Sequence, residues 1–240
     1  MQNPVELQRK DLSDIIKQAL PGMLMVFIIP IICIIVVSGN YAWWEAWMVI
    51  IITGLITVGT RLALIIKRPG LARERVNYQK KQDIQPWDKV LMPMVAVYFP
   101  ILIWLVAGFD KRYDGSPQLG WQIEISAMLL MILAYLFSTW AMLVNQFFAA
   151  IVRIQSERGQ QVIQNGPYRI VRHPGYAGGL LGFLLFPLTL SALWAYIPII
   201  LYTIAIVLRT VKEDRFLQMT LPGYQDYAGK TRYRLFPGIW

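Results

Sequence analysis

Two chemically versatile residue types are almost missing from this chain: its 240 residues include one cysteine, Cys33, and one histidine, His173. A disulfide needs two cysteines, and structural zinc or haem sites draw on clusters of His and Cys, so no metal site of that kind is expected. Charge is scarce as well, at 15% Asp, Glu, Lys and Arg, against about a quarter in soluble domains. There is no glycine-rich nucleotide fingerprint of the Rossmann or P-loop type. The chain has no internal repeat, no low-complexity tract and no linker long enough to separate two folded units, so residues 1–240 are expected to form a single domain.

What is abundant is apolar. Hydrophobic residues make up 56% of the chain and the mean hydropathy is +0.46, values that belong to membrane proteins. The net charge of +9 would point to nucleic acid in a soluble protein. Here the basic residues lie between apolar runs, where membrane topology explains them, and no nucleic-acid partner is expected.

Apolar runs at 22–38, 46–66, 90–108 and 123–148 each approach the roughly 20 residues a helix needs to cross a bilayer. They predict four membrane spans over 22–148. A fifth run, Ala177 to Leu208, would measure about 48 Å as one helix, too long for one upright span and short for two full ones. It reads as a helical hairpin over 177–208, interrupted by Pro187 and Pro198, with Ser191-Ala192 as the turning point. Residues 1–21 are too charged for a signal-peptide core, yet Leu12, Ile15, Ile16, Ala19 and Leu20 recur at helical spacing; a short interfacial helix on the membrane surface is expected there. The fold class is therefore an all-α integral membrane protein of about five to six transmembrane helices, ending in a catalytic region over 149–240. Lysine and arginine concentrate in 67–89, 149–173 and the tail after Arg209, which sets those segments, and both termini, on the cytoplasmic side.

Two polar clusters flank the hairpin. The first is Asn165 to Gly178, with Tyr168, Arg169, Arg172, His173, Pro174 and Tyr176; the second is Arg209 to Arg215, followed by Leu221-Pro222-Gly223-Tyr224. A hairpin joins its own ends, so the two clusters should meet at the cytoplasmic interface. Plain structural roles compete at each position: Arg169 and Arg172 as interfacial anchors, Gly175, Gly178 and Gly182 as close-packing residues, and Arg209 paired with Glu213 one helical turn on. Glu213 and Asp214 look misplaced if they close a helix, because helix C-termini favour cations.

Gly166-Pro167-Tyr168-Arg169 followed by Arg172-His173-Pro174 and Tyr176, an apolar hairpin, Arg209 before Glu213-Asp214, Pro222-Gly223-Tyr224 and a terminal Arg234 to Trp240 resemble the isoprenylcysteine carboxyl methyltransferase and phospholipid methyltransferase superfamily. The resemblance covers roughly 145–240, and the stretch Asn145 to Phe148 is similar to bacterial members. It implies a membrane enzyme that takes S-adenosylmethionine from the cytoplasm and a lipophilic methyl acceptor, an isoprenylcysteine-type carboxylate or another lipid, from the bilayer of a bacterial inner membrane. It also implies a cofactor site formed by Tyr168, Arg172, His173, Pro174, Tyr176, Gly178, Glu213 and Asp214, with Arg209 and Glu213 as catalytic residues. The second acid is Asp214 where many members carry glutamate. In chemical terms Arg172 suits the cofactor carboxylate, Glu213 and Asp214 suit its ammonium and ribose, and Arg209 could orient an acceptor. Glu213 could deprotonate an amine or hydroxyl acceptor. A sterol-reductase-like enzyme using NADPH and a non-enzymatic membrane scaffold are the competing expectations.

Overall fold

The computed structural model describes residues 4–80 and 83–240, with side chains from Leu12 onward except that of Lys80. Its regular elements are helices: α1 (Pro4–Pro30), α2 (Trp44–Lys67), α3 (Pro69–Val76), α4 (Asp88–Pro93), α5 (Phe99–Arg112), α6 (Trp121–Val144), α7 (Pro174–Leu190), α8 (Tyr196–Thr220) and α9 (Tyr224–Lys230). Five helical segments are long and apolar enough to cross a membrane: Leu12–Val36, Trp44–Lys67, Asp88–Arg112, Trp121–Val144 and Leu193–Thr220. The first four coincide with the expected spans.

Residue 21 is not a helix boundary. Helix α1 runs through Pro21, so the amphipathic stretch and the first apolar run form one rod; the first three residues of the expected surface helix lie outside the described residues. Two widened, π-helical stretches occur, Ile31–Val36 and Met94–Tyr98, and each directly follows a proline, Pro30 and Pro93. Proline removes a donor and crowds the preceding turn, and a local widening is one way a membrane helix absorbs that. The first of these packs on α5 so closely that a Cβ at Gly108 would lie 2.3 Å from the Cys33 carbonyl oxygen.

The hairpin is present and turns at the expected place. Ser191 adopts a left-handed conformation with φ of 49° and ends α7, which at 17 residues spans only about 26 Å. Two buried acids clamp this turn to the α5–α6 connection. Glu124 accepts a hydrogen bond from Ser191 Oγ at 2.7 Å, and Asp110 accepts from the Trp194 amide at 2.9 Å and from Ser116 Oγ at 2.7 Å. The prolines do not break it: Pro187 lies inside α7, and Pro198 sits in the first turn of α8, where its missing N–H costs nothing.

Helix α8 continues twelve residues past the predicted end at Leu208, to Thr220. Glu213 and Asp214 therefore sit inside a helix and not at its C-terminus, which removes the conflict with the helix dipole. Helices α6 and α7 pack along the Gly175, Gly178 and Gly182 stripe, with a Cβ at Gly178 placed 2.4 Å from the Ala134 carbonyl oxygen and one at Gly182 placed 2.5 Å from the Tyr135 ring. These glycines serve close helix approach.

Candidate active site

The hairpin brings the two polar clusters into contact, and Asp214 is where they join. Its Oδ1 accepts from Arg172 Nε at 2.8 Å and from the Tyr224 hydroxyl at 3.0 Å, with His173 Nε2 at 3.3 Å; its Oδ2 accepts from Arg172 Nη2 at 3.0 Å, Gln218 at 2.9 Å and Arg234 at 3.0 Å. Both oxygens are thus saturated by protein donors. Arg172 is equally committed, because its Nη1 donates to the carbonyls of Thr231 and Arg232. The backbone follows: the Arg172 and His173 amides donate to the Tyr233 and Arg234 carbonyls, each at 2.9 Å. This buried bidentate pair ties α8, the entrance of α7 and the C-terminal tail into one unit. It is a brace for the site, and neither residue has a free group to offer a ligand carboxylate or ammonium.

Arg209 does not pair with Glu213 as its spacing allows. It reaches Asp88 at the start of α4, through Nε at 2.7 Å and Nη2 at 3.1 Å, and also donates to the Ala150 carbonyl. Asp88 is 0% exposed and accepts in addition from the Val152 amide at 2.7 Å, so the pair fixes the irregular stretch after α6. Glu213 is left to accept from the Tyr176 hydroxyl through Oε2, and its Oε1 has no hydrogen-bond partner among the described residues. The Tyr176 ring lies between the Arg209 guanidinium, 5.3 Å from its centroid, and the parallel His173 ring at 5.8 Å.

These groups border a cavity of about 240 Å³. Of the nine residues the sequence nominated, Tyr168, Arg172, His173, Pro174, Tyr176, Arg209 and Glu213 lie on its wall. Gly178 does not, since it faces α6, and Asp214 stands behind the wall. The rest of the lining is the non-helical segment 147–163, together with Arg75 from α3 and Ala96 from the span that begins at Asp88. Arg153 holds this segment to α3: burial alone would lower its pKa, and its partners Glu157, Asp83 and Glu74 outweigh that, for a net shift upward. On the opposite wall burial pushes the Tyr168, Tyr224 and Tyr227 phenols up, so they act as neutral donors.

Sequence reasoning missed Asp88, Arg75 and the 147–163 wall. Asp88 reads as an ordinary acid at a helix start, and nothing in one-dimensional spacing links it to Arg209, 121 positions away. Among the described residues, no group of three or more His, Cys, Asp or Glu could hold a metal ion.

Comparison with known proteins agrees with this arrangement. A sequence profile of the phospholipid methyltransferase family matches residues 123–222, which adds α6 to the region recognised from motifs and stops before the terminal Arg234–Trp240 segment. The chain is 30% identical over 95 residues to a delta(14)-sterol reductase of Mus musculus, a match covering 38% of this chain and 23% of that protein. It is 30% identical over 167 residues to the cobalt-zinc-cadmium resistance protein CzcN of Cupriavidus metallidurans, covering 68% of this chain and 67% of that protein. With the family profile seated on α6, the hairpin and its polar ends, the chain belongs to the phospholipid methyltransferase family.

Proposed function

We propose that the protein is a membrane methyltransferase that uses S-adenosylmethionine to methylate a lipophilic acceptor. The observation that carries this reading is the cavity at the mouth of the hairpin, where an uncommitted carboxylate oxygen on Glu213, the His173 and Tyr176 rings and the 147–163 backbone converge. The donor set suits the cofactor: its ammonium or ribose hydroxyls need an acceptor such as Glu213, and its adenine needs backbone groups and apolar contact such as 147–163 supplies. When bound, the cofactor would supply an electrophilic methyl group on a sulfonium centre.

The chain's own residues then have three tasks. Arg172 and Asp214 brace the wall; Arg209, fixed by Asp88, holds Tyr176 and the 147–163 segment in place; Glu213 and His173 face the ligand. Positioning and exclusion of water contribute most to such a transfer. A carboxylate acceptor needs no base, and for an amine or hydroxyl acceptor Glu213 would take the proton. The basic segments 67–89 and 149–173 and both termini would face the cytoplasm of a bacterial inner membrane, with the acceptor entering from the bilayer.

A nicotinamide-dependent reduction is the second reading, favoured by the match to the sterol reductase. Calorimetric titration of the detergent-solubilised protein separates the two. Micromolar binding of S-adenosylhomocysteine that is lost in Glu213→Gln and His173→Ala supports the methyltransferase; binding of NADPH and none of S-adenosylhomocysteine supports the reductase.

A further inference from the structure

A second cavity, of about 360 Å³, lies within the membrane region between α1, α2, α6 and the span starting at Asp88. It shares Arg75 and Ala96 with the first, so the two adjoin. Its wall is mostly aliphatic and aromatic, including Val26, Ile34, Trp104, Phe183 and Phe186. The hydroxyls on it are turned back into their own structure: Thr53 and Thr57 donate to the carbonyls one turn earlier, and Thr60 contacts Thr139. Val49 and Arg61 both line it and lie twelve residues apart on α2, about 18 Å at the helical rise. The space is long, narrow and apolar except at one end.

That end carries two arginines. Arg61 lies six residues inside the end of α2, and its guanidinium sits against Gly22 of α1, where a Cβ would meet Nη1 at 2.7 Å. It makes no hydrogen bond or ion pair among the described residues. Arg75 donates one hydrogen bond, to the Phe148 carbonyl at 3.1 Å, and lies over the Phe148 ring. Burial, then the charges of Arg61 and Arg209, lower its pKa to about 10. Every nearby acid is already taken: Asp88 by Arg209 and Glu74 by Arg153. An interfacial anchor would aim its head at water, as Lys67 at the end of α2 is placed to do, whereas Arg61 aims its head into protein. Two adjacent cations without an acid, at the end of an apolar channel, form a site that an anion would complete.

We propose that this cavity binds an amphiphile with an anionic head, carboxylate or phosphate, the head paired with Arg61 and Arg75 and the hydrocarbon running between α1 and α2. Naming that amphiphile as the methyl acceptor rests on the methyltransferase reading, and follows from the shared Arg75–Ala96 wall, which sets the head beside Glu213 and Tyr176.

The test is equilibrium binding of radiolabelled hexadecanoate, hexadecyl phosphate and hexadecanol to the full-length protein in phosphatidylcholine nanodiscs, at a pH that keeps the carboxylate charged. Both anions should bind about tenfold or more tighter than the alcohol, and Arg61→Gln should reduce them to the alcohol's affinity. Arg61→Lys should keep the preference, and Arg169→Gln on the exposed surface should change nothing. Either order between the two anions supports the site and names its head group. Equal binding of all three ligands, or an unchanged preference in Arg61→Gln, overturns the inference. S-adenosylhomocysteine binding, measured on the same samples, confirms that each variant is folded. If it is normal while anion preference is absent, this inference alone fails; if it is absent in every sample while the preference holds, the amphiphile site stands and its naming as methyl acceptor falls.

Discussion

Replacing Asp214 by asparagine separates bracing from ligand binding. The substitution keeps the volume and one acceptor, but the amide nitrogen would face donors from Arg172, Gln218 and Arg234 now met by Oδ2, and it removes the charge that compensates Arg172. Both partners are buried, with side-chain exposures of 6% and 1%. Breaking such a pair by removing one member costs about 3–5 kcal/mol. For a chain of this size each kcal/mol shifts the melting temperature by about 2–4 °C, so Asp214→Asn should melt roughly 6–20 °C lower. Glu213→Gln retains an acceptor for Tyr176 at a half-buried position and should lose about 1 kcal/mol or less, yet weaken S-adenosylhomocysteine binding about tenfold or more. Thermal melts and calorimetry on both variants, below the melting point of the weaker, decide the matter. An Asp214→Asn protein that melts like the parent but no longer binds would show that Asp214 contacts the ligand, and the bracing role would be wrong.

Asp88→Ala should destabilise by about 3–5 kcal/mol by leaving Arg209 buried and unpaired, and Asp88→Ala with Arg209→Met should recover much of it; denaturant unfolding of the single and double variants measures this. Gly178→Val should lower stability by disrupting the α6–α7 contact, while any protein that folds keeps its ligand affinity, because the residue is not on the cavity; melting and calorimetry together check it. Deleting residues 233–240 removes the carbonyls that receive the Arg172 and His173 amides, and should weaken S-adenosylhomocysteine binding by loosening the hairpin mouth. The raised pKa values of Tyr168, Tyr224 and Tyr227 mean that the folded state favours their neutral form; the stability they contribute is complete below about pH 10 and falls as pH rises above it, which melting curves from neutral to strongly alkaline pH would reveal.

Much was legible in the residues alone. Hydrophobic run length and the positions of Lys and Arg carry the spans, because a bilayer demands a minimum number of apolar residues in helical form. The length of the last run forced a hairpin, and a hairpin joins its ends, which is why His173, Tyr176 and Glu213 could be placed together without coordinates. Side-chain partnering could not be read in that way. Spacing permits Arg209 to pair with Glu213, but the fold offers it a buried carboxylate, Asp88, from a helix 121 positions earlier. The family motif presents Arg172 and Asp214 as ligand contacts; packing of the tail and α9 against them satisfies both with protein groups. The continuation of α8 to Thr220 was hidden because helix persists through charged residues wherever tertiary contacts neutralise them. One-dimensional pattern determined which segments enter the membrane and which polar clusters meet, since those depend on solvent and chain connectivity. Which charge answers which, and which are left for a ligand, was decided only by the tertiary structure, because a buried charge takes the nearest acceptor in space and not in sequence.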